Sequence, residues 1–468
     1  MRIAFFQDVW TDLNGPLLLA QLLEEEGHDV RFVLAQKGWE KTLAAYAPQV
    51  VGLSTFTGNH LDMFAAAKRI KETCPGPPLV VMGGPHPTFF PSALEHPSVD
   101  AICRGEAETA FPLFLDRLRD GKLDSPAPNF LIKVSGGILE GKMGRLVRDL
   151  DSLPIASRRH LYDHYPLLAR APFMRVTVRR GCPFSCSYCF NAPFRRMTKG
   201  LGPYIRTRSP EHVIEELAYL HQRYGCRHII FSDDVFTLSR KWIFDFAQQM
   251  ARLPMTYDIA TCAQYLDRDV VRALAESGCT LVGMGIETGD EALRRGLLNK
   301  KLKNEEIFRA ARELARAGIQ VQTYNMIGFP GETLDHALET IRFNQRIKPD
   351  YALCCIATPY PGTSLSQRWT AIEGTSEKEI LSLVGKSFFH RSLLPGKEAR
   401  LFTNLQKFFA LAVRHPSLEP LVRLLVRLPP NPVFHEFFQL YHGLHMMRRL
   451  KASPIFALSL FFRLRRHF

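Results

Sequence analysis

Three cysteines stand close together in one short run, Arg180-Gly-Cys-Pro-Phe-Ser-Cys-Ser-Tyr-Cys-Phe190. Cys182, Cys186 and Cys189 follow one another at spacings of four and three, directly after a stretch, Met174 to Arg179, that reads as a strand. A loop of that kind can wrap a 4Fe-4S cube. A cluster that only carries electrons needs four protein ligands, whereas three in one loop leave one iron open to chelate something else. The competing readings are a zinc site or three unrelated buried thiols. A lone C-x-x-C would leave them level, but C-x-x-x-C-x-x-C on the first loop of a repeating fold does not.

The elements around that loop repeat. Strand candidates at Met174 to Arg179, His228 to Ser232, Tyr257 to Thr261, Leu281 to Ile286, Gln320 to Ile327 and Tyr351 to Thr358 are separated by helices such as Pro210 to Tyr224 and Asn304 to Ala317. Six such βα units predict an open partial barrel over 172–371. Before it, Ile3 to Phe6, Val30 to Leu34, Val50 to Ser54 and Leu79 to Met82 alternate with amphipathic helices over Gly15 to Glu26 and Leu61 to Glu72. That pattern predicts a Rossmann-like (flavodoxin-like) α/β domain over 1–140, whose ligand would sit at the carboxyl ends of its strands. Around 120–170 the periodicity fades through Asp124-Ser-Pro-Ala-Pro and Val134-Ser-Gly-Gly, which predicts a linker, 141–171, with a small hairpin nearby. From 372 to 468 the pattern is helical only.

Composition sets the outer bounds. The chain has 468 residues, 46% hydrophobic and 23% charged, enough for two or three cores. The opening Met1-Arg2 runs at once into a strand pattern, no apolar run is long enough to span a bilayer, and ten sparse cysteines suit metal binding in a reducing compartment. A cytoplasmic protein is expected. The net charge of +14 suggests nucleic acid until its distribution is read: 400–468 holds eleven Lys/Arg against Glu419 and Glu436, so the other 399 residues carry only +5. No nucleic-acid partner is expected.

The cysteine run resembles that of the radical S-adenosylmethionine (SAM) superfamily, in which the open iron binds the amino and carboxylate groups of S-adenosylmethionine. Further motifs fall in that family's order. The resemblance puts Tyr188 against the adenine. It puts Asp233 or Asp234, in Phe231-Ser-Asp-Asp-Val-Phe236, at the amino end of the cosubstrate, and Glu287, in Gly283-Met-Gly-Ile-Glu-Thr288, at its ribose or amino group. Ile327-Gly-Phe-Pro-Gly-Glu332 and Pro359-Tyr-Pro-Gly-Thr363 match the last two strand exits. An arginine that the family often shows on the third strand is absent; Cys262-Ala263-Gln264 stands there. Of Cys354 and Cys355, strand alternation should turn one inward, as a small core residue or a catalytic thiol.

A Rossmann-like domain ahead of such a barrel resembles the cobalamin-binding class of the superfamily, which includes carbon methylases and the anaerobic porphyrin-ring cyclase. Val81-Met-Gly-Gly-Pro-His-Pro-Thr-Phe-Phe90 and Val99-Asp-Ala-Ile-Cys-Arg-Gly-Glu-Ala-Glu108 carry that resemblance. It implies that Gly83 and Gly84 admit a nucleotide tail, with Ser54, Thr55 and Glu106 as further contacts. The D-x-H-x-x-G signature that brings histidine to cobalt is missing, the segment reading Asp8-Val-Trp-Thr-Asp-Leu, and His60 is the nearby alternative.

The implied cofactors are a 4Fe-4S cluster, S-adenosylmethionine and cobalamin as methylcobalamin. The implied reaction is methylation of an unactivated carbon through a 5'-deoxyadenosyl radical, on a hydrophobic, lipid-like or macrocyclic substrate, with flavodoxin or ferredoxin as electron donor. A cyclase or rearrangement without methyl transfer is the alternative, and a non-enzymatic, membrane-associated cofactor-binding protein a more distant one. Leu421-Val-Arg-Leu-Leu-Val-Arg-Leu428 and Phe456 to Phe468 mix cationic and apolar residues at helical intervals, as an interfacial helix does, or as a helix packed on the barrel mouth would. Replacing Cys186 by Ala should abolish the visible absorbance of the reconstituted cluster; an undiminished spectrum would refute the ligand assignment.

Overall fold

A computed structural model describes residues 1–384, 389 and 391–450. Contacts divide the chain into two compact units, one of residues 1–171 with 198–206, the other of 172–197 with 207–468. The stretch expected as a linker therefore belongs with the first unit, as does a short segment expected in the barrel.

The first unit is built on β1 (Arg2–Gln7), β2 (Asp29–Leu34), β3 (Val50–Ser54), β4 (Leu79–Gly83), β5 (Ala101–Cys103), β6 (Phe130–Val134) and β7 (Gly137–Glu140). Their order is β2-β1-β3-β4-β5-β6-β7. The pairs from β2 to β5 are parallel, and β6 and β7 add on antiparallel. Helices α1 (Asn14–Glu25), α2 (Trp39–Tyr46) and α3 (His60–Thr73) supply crossovers between parallel strands, and α4 (Ala110–Arg119) leads from β5 to β6. The hairpin expected near the linker is thus the edge of this sheet. Phe130 explains it, being wholly buried and stacked on Phe114 at 4.3 Å. The following segment is anchored as well, since Tyr165 Oη accepts the Leu34 amide at 2.8 Å.

The second unit places β8 (Met174–Val176), β9 (His228–Phe231), β10 (Thr256–Thr261), β11 (Cys279–Glu287), β12 (Gln320–Ile327) and β13 (Tyr351–Ile356) in one all-parallel sheet, in sequence order. The crossovers α5 (Pro210–Tyr224), α6 (Arg240–Met250), α7 (Arg268–Glu276), α8 (Asn304–Arg316) and α9 (Leu334–Ile347) lie between successive strands, and α10 (Ser364–Glu373) follows the last. Ser209, Ser239, Asp267 and Thr333 cap four of these helices with side-chain oxygens. β8 stops three residues before the expected end. The amides of Val178 and Arg179 turn to the Asp233 carboxylate instead of a neighbouring strand.

Helices α11 (Gly396–Arg414), α12 (Glu419–Leu425) and α13 (Pro432–Arg449) follow. They share one core with the sheet, in which Phe402, Leu405 and Phe409 meet Ile327, Phe329, Ala352 and Cys354. Among the described residues no helix is long and apolar enough to cross a membrane. The amphipathic stretch from Phe456 to Phe468 lies outside them.

Glu332, in the loop after β12, accepts the amides of Gly328 at 2.5 Å and Phe329 at 3.0 Å. Burial pushes its carboxyl from 4.5 up to about 8, against the pull of those two amides. A carboxyl raised on folding gives stability that is complete below its unfolded pKa and is lost as pH rises through its folded value. Thermal melts should therefore show wild type losing more stability than Glu332→Gln between about pH 5 and about pH 9; parallel losses would count against this account.

Candidate active site

The cysteine run leaves β8 as a loop held by backbone contacts. Ser187 donates its amide to Leu298 O at 2.9 Å and its hydroxyl to Leu297 O at 2.7 Å, while Leu365 donates to Ser187 O at 2.8 Å. Cys182, Cys186 and Cys189 thereby line one cavity of about 260 Å³, shared with Tyr188, Asn191 and Asp234 and floored by Tyr324. Among the described residues no three Cys, His, Asp or Glu side chains converge as a single metal ion requires. Three thiols around one chamber suit a larger group, because each thiolate of a 4Fe-4S cube binds a different iron.

Burial pushes the Cys182 thiol up to about 12 and Cys186 up to about 11. The Lys300 ammonium, on the same cavity wall, pulls Cys186 the other way. Thiols so placed are protonated until cationic iron displaces their protons. The residues present fit the cluster.

Two adjacent aspartates divide their work. Asp233 is buried, accepts the Val178 amide at 3.2 Å and the Arg179 amide at 2.6 Å, and has its carboxyl pushed up to about 7 by burial. It turns the chain into the cysteine loop. Asp234 is exposed, lines the cavity and accepts from Asn191 Nδ2 at 2.9 Å. The same Asn191 amide group lies 3.5 Å from Cys189 Sγ. Of the two, only Asp234 is placed where a cosubstrate could meet it.

Glu287 ends β11 with φ +67°, a left-handed backbone that costs a non-glycine residue about 1 kcal/mol or more. Its carboxylate accepts from Tyr188 Oη at 2.9 Å and Lys300 Nζ at 2.8 Å. The glycine two residues earlier makes room for this pair: a Cβ on Gly285 would stand 2.6 Å from both Glu287 Oε1 and Lys300 Nζ. Lys300 has no motif around it, and only the fold carries it to the cavity. Cys262, noted in the sequence for the arginine it replaces, lines the cavity too. The register pairs Met326 with Cys355 and Tyr324 with Leu353, so Cys355 shares the inward face of Tyr324, and Cys354 turns out to the α11 core.

In the first unit, Ser54 and Gly83 are register partners at the exits of β3 and β4. A Cβ on Gly84, at φ +98°, would strike Thr55 O at 2.6 Å, so only glycine brings these two exits so close. Nothing lies within 4 Å of a Cβ on Gly83, and Ser54 is half-buried beside it. That open, hydroxyl-bearing edge fits a bulky nucleotide tail. Thr55 is fully buried and contributes mainly backbone. Glu106 stands apart from this edge's work: its carboxylate grips Arg206 at 2.7 Å and 2.9 Å and accepts the Val147 amide at 2.9 Å. His60 is buried with its ring stacked on His86 at 4.4 Å, and its Nδ1 accepts the Gly58 amide at 3.3 Å.

Fold and site together define an enzyme of the cluster-bearing partial-barrel class. The profile of the Radical SAM superfamily matches residues 176–343, and that of the B12 binding domain matches residues 8–115. An uncharacterized methyltransferase of Pyrococcus horikoshii is 32% identical over 365 residues, 75% of this chain and 77% of that protein. The anaerobic magnesium-protoporphyrin IX monomethyl ester cyclase of Rubrivivax gelatinosus is 25% identical over 371 residues, 75% of this chain and 64% of that protein. The radical S-adenosylmethionine methyltransferase TsrM of Kitasatospora setae, solved with cobalamin and a [4Fe-4S] cluster, shares the fold at a TM-score of 0.66 and 15% identity, covering 80% of this chain and 76% of that one. The chain belongs to the radical SAM superfamily, among the members that carry a B12-binding domain.

The two aspartates can be separated by experiment. Asp233→Ala should strand two buried amides, at a cost of about 1–3 kcal/mol each, and lower both the melting temperature and the iron bound per chain. Asp234→Ala should leave the melting temperature unchanged and weaken S-adenosylmethionine binding about tenfold in equilibrium dialysis, the loss of one charge-assisted hydrogen bond.

Proposed function

We propose that this enzyme transfers a methyl group to an unactivated carbon of a hydrophobic, lipid-like or macrocyclic small molecule. The observation that carries the reading is the pairing, in one chain, of a cavity lined by the three-cysteine loop with a B12-binding domain. When bound, the reduced cluster and S-adenosylmethionine supply a 5'-deoxyadenosyl radical, and methylcobalamin supplies the methyl group.

The chain's own residues do the positioning. Cys182, Cys186 and Cys189 would hold three irons and leave the fourth for the cosubstrate. Tyr188 packs on the cavity wall and hydrogen-bonds Glu287, fixing the carboxylate that would receive the ribose or amino group. Asp234 would receive the amino end, while Asn191 ties that aspartate to the Cys189 side of the chamber. Gly83, Gly84, Ser54 and the Thr55 backbone would seat the nucleotide tail of the corrinoid. Glu106 supports that domain indirectly, by fastening Arg206 and the 147 segment.

The electron that reduces the cluster comes from an external donor, here a flavodoxin or ferredoxin. We place the enzyme in the cytoplasm, in reversible contact with the inner face of a membrane through its C-terminal helices. Cyclisation without methyl transfer is the second reading, favoured by the cyclase relative of Rubrivivax gelatinosus. Anaerobic turnover of a host lipid and pigment extract with methyl-labelled S-adenosylmethionine separates the two. A product heavier by one labelled methyl group supports methylation; formation of 5'-deoxyadenosine with an unlabelled product would end that reading.

A further inference from the structure

Large apolar side chains left exposed are not spread evenly over this protein. Among the described residues fourteen are exposed, and six of them fall between positions 421 and 444. They form two helical stripes. On α12 and the turn that follows it, Leu421, Leu424 and Leu428 recur at intervals of three and four, and are 49%, 61% and 44% exposed. On α13, Val433, Leu440 and Leu444 recur at intervals of seven and four, and are 72%, 58% and 40% exposed. Both spacings keep their residues on one side of a helix.

The inward sides are spent on the core: Val422 and Val426 from the first stretch, with Phe434 from α13, pack into the cluster that holds Phe408, and Phe438 is buried. The outward leucines are therefore surplus to folding. Cations accompany them. Arg427 is exposed between Leu424 and Leu428, and exposed Arg448 continues the α13 stripe one turn past Leu444. Exposed Arg414 ends α11, and Glu436 is the acidic residue exposed on α13. Arg423 is different, being turned back onto Glu419 and Asp335 of the protein itself. Segment 400–468 as a whole carries +9. Leucine stripes edged by arginine are the chemistry of a helix lying in the interface of an anionic bilayer, apolar side in the acyl boundary and guanidinium among the headgroups.

We propose that the outward faces of α12 and α13 form a docking surface for an anionic lipid membrane. The inference rests on the membrane contact proposed above and names the residues and lipid charge that make it. It needs no substrate, so it can be tested apart from the reaction.

The test is co-sedimentation of the full-length, cluster-loaded chain with vesicles of phosphatidylcholine alone and with vesicles rich in phosphatidylglycerol. Wild type should bind the phosphatidylglycerol vesicles about tenfold or more in excess, and added salt should erode the preference. The pair Leu424→Glu and Leu440→Glu should lower that binding about tenfold or more while cluster absorbance and melting temperature stay unchanged. Arg427→Gln and Arg448→Gln should each weaken it about fivefold, on phosphatidylglycerol vesicles only. Undiminished binding by the leucine variant would overturn this surface and leave membrane contact to another part of the chain. No binding of wild type to either vesicle would overturn the contact as well. A wild-type dimer that the leucine variant dissolves, with no vesicle binding, would assign the face to a second copy and overturn the proposal.

Discussion

A buried carboxylate decides where the barrel ends and the chemistry begins. Asp233 draws the amides of Val178 and Arg179 away from the sheet, so β8 stops at Val176 and the chain swings into the cysteine loop. Every other feature of the cavity presumes that turn. Ser187 can reach the 297–298 carbonyls, and Tyr188 can reach Glu287, only because the loop leaves the strand there. A carboxylate is suited to the task because one oxygen can serve two adjacent amides, and those bonds offset part of its desolvation.

The same economy of charge runs through the cavity. Its wall carries Glu287, Lys300 and Asp234 beside thiols that burial keeps protonated. Glu287 and Lys300 neutralise each other at 2.8 Å, and Tyr188 adds a neutral donor to the same oxygen. With Asp234 and Lys301 also on the wall, the chamber carries no large net charge of its own. Glu287 accepts a left-handed backbone to join this network, and two glycines in its strand give up side chains to it and to Tyr324.

Much of this was readable from residue order because βα repetition is a strong signal: β3 and β12 run over the expected residues, and α5 does so at both ends. The cysteine spacing is local and so survives any folding. What residue order hid was long-range. Lys300 follows a short helix with no motif, and nothing but the return of the chain from β11 puts it beside Glu287. The sequence left Asp233 and Asp234 level, whereas strand geometry separates them at once into a buried turn-maker and a cavity residue. Glu106 lies within a motif, Val99 to Glu108, that resembles a cofactor contact, yet its partner Arg206 is 100 residues away. The hairpin 130–140 reads only as a turn near the linker because its flanks are rich in Pro, Gly and Ser, while Phe130 and Phe114 make it part of a sheet.

The core that α11 shares with β12 and β13 has a consequence for how the protein is born. The cluster ligands are complete by residue 189, whereas the wall that faces them is completed only by Lys300 and Tyr324. The apolar face behind the last two strands stays bare until Phe402, Leu405 and Phe409 arrive. A nascent chain therefore presents its thiols before the strands that enclose them exist, and the apolar back of those strands is covered later still.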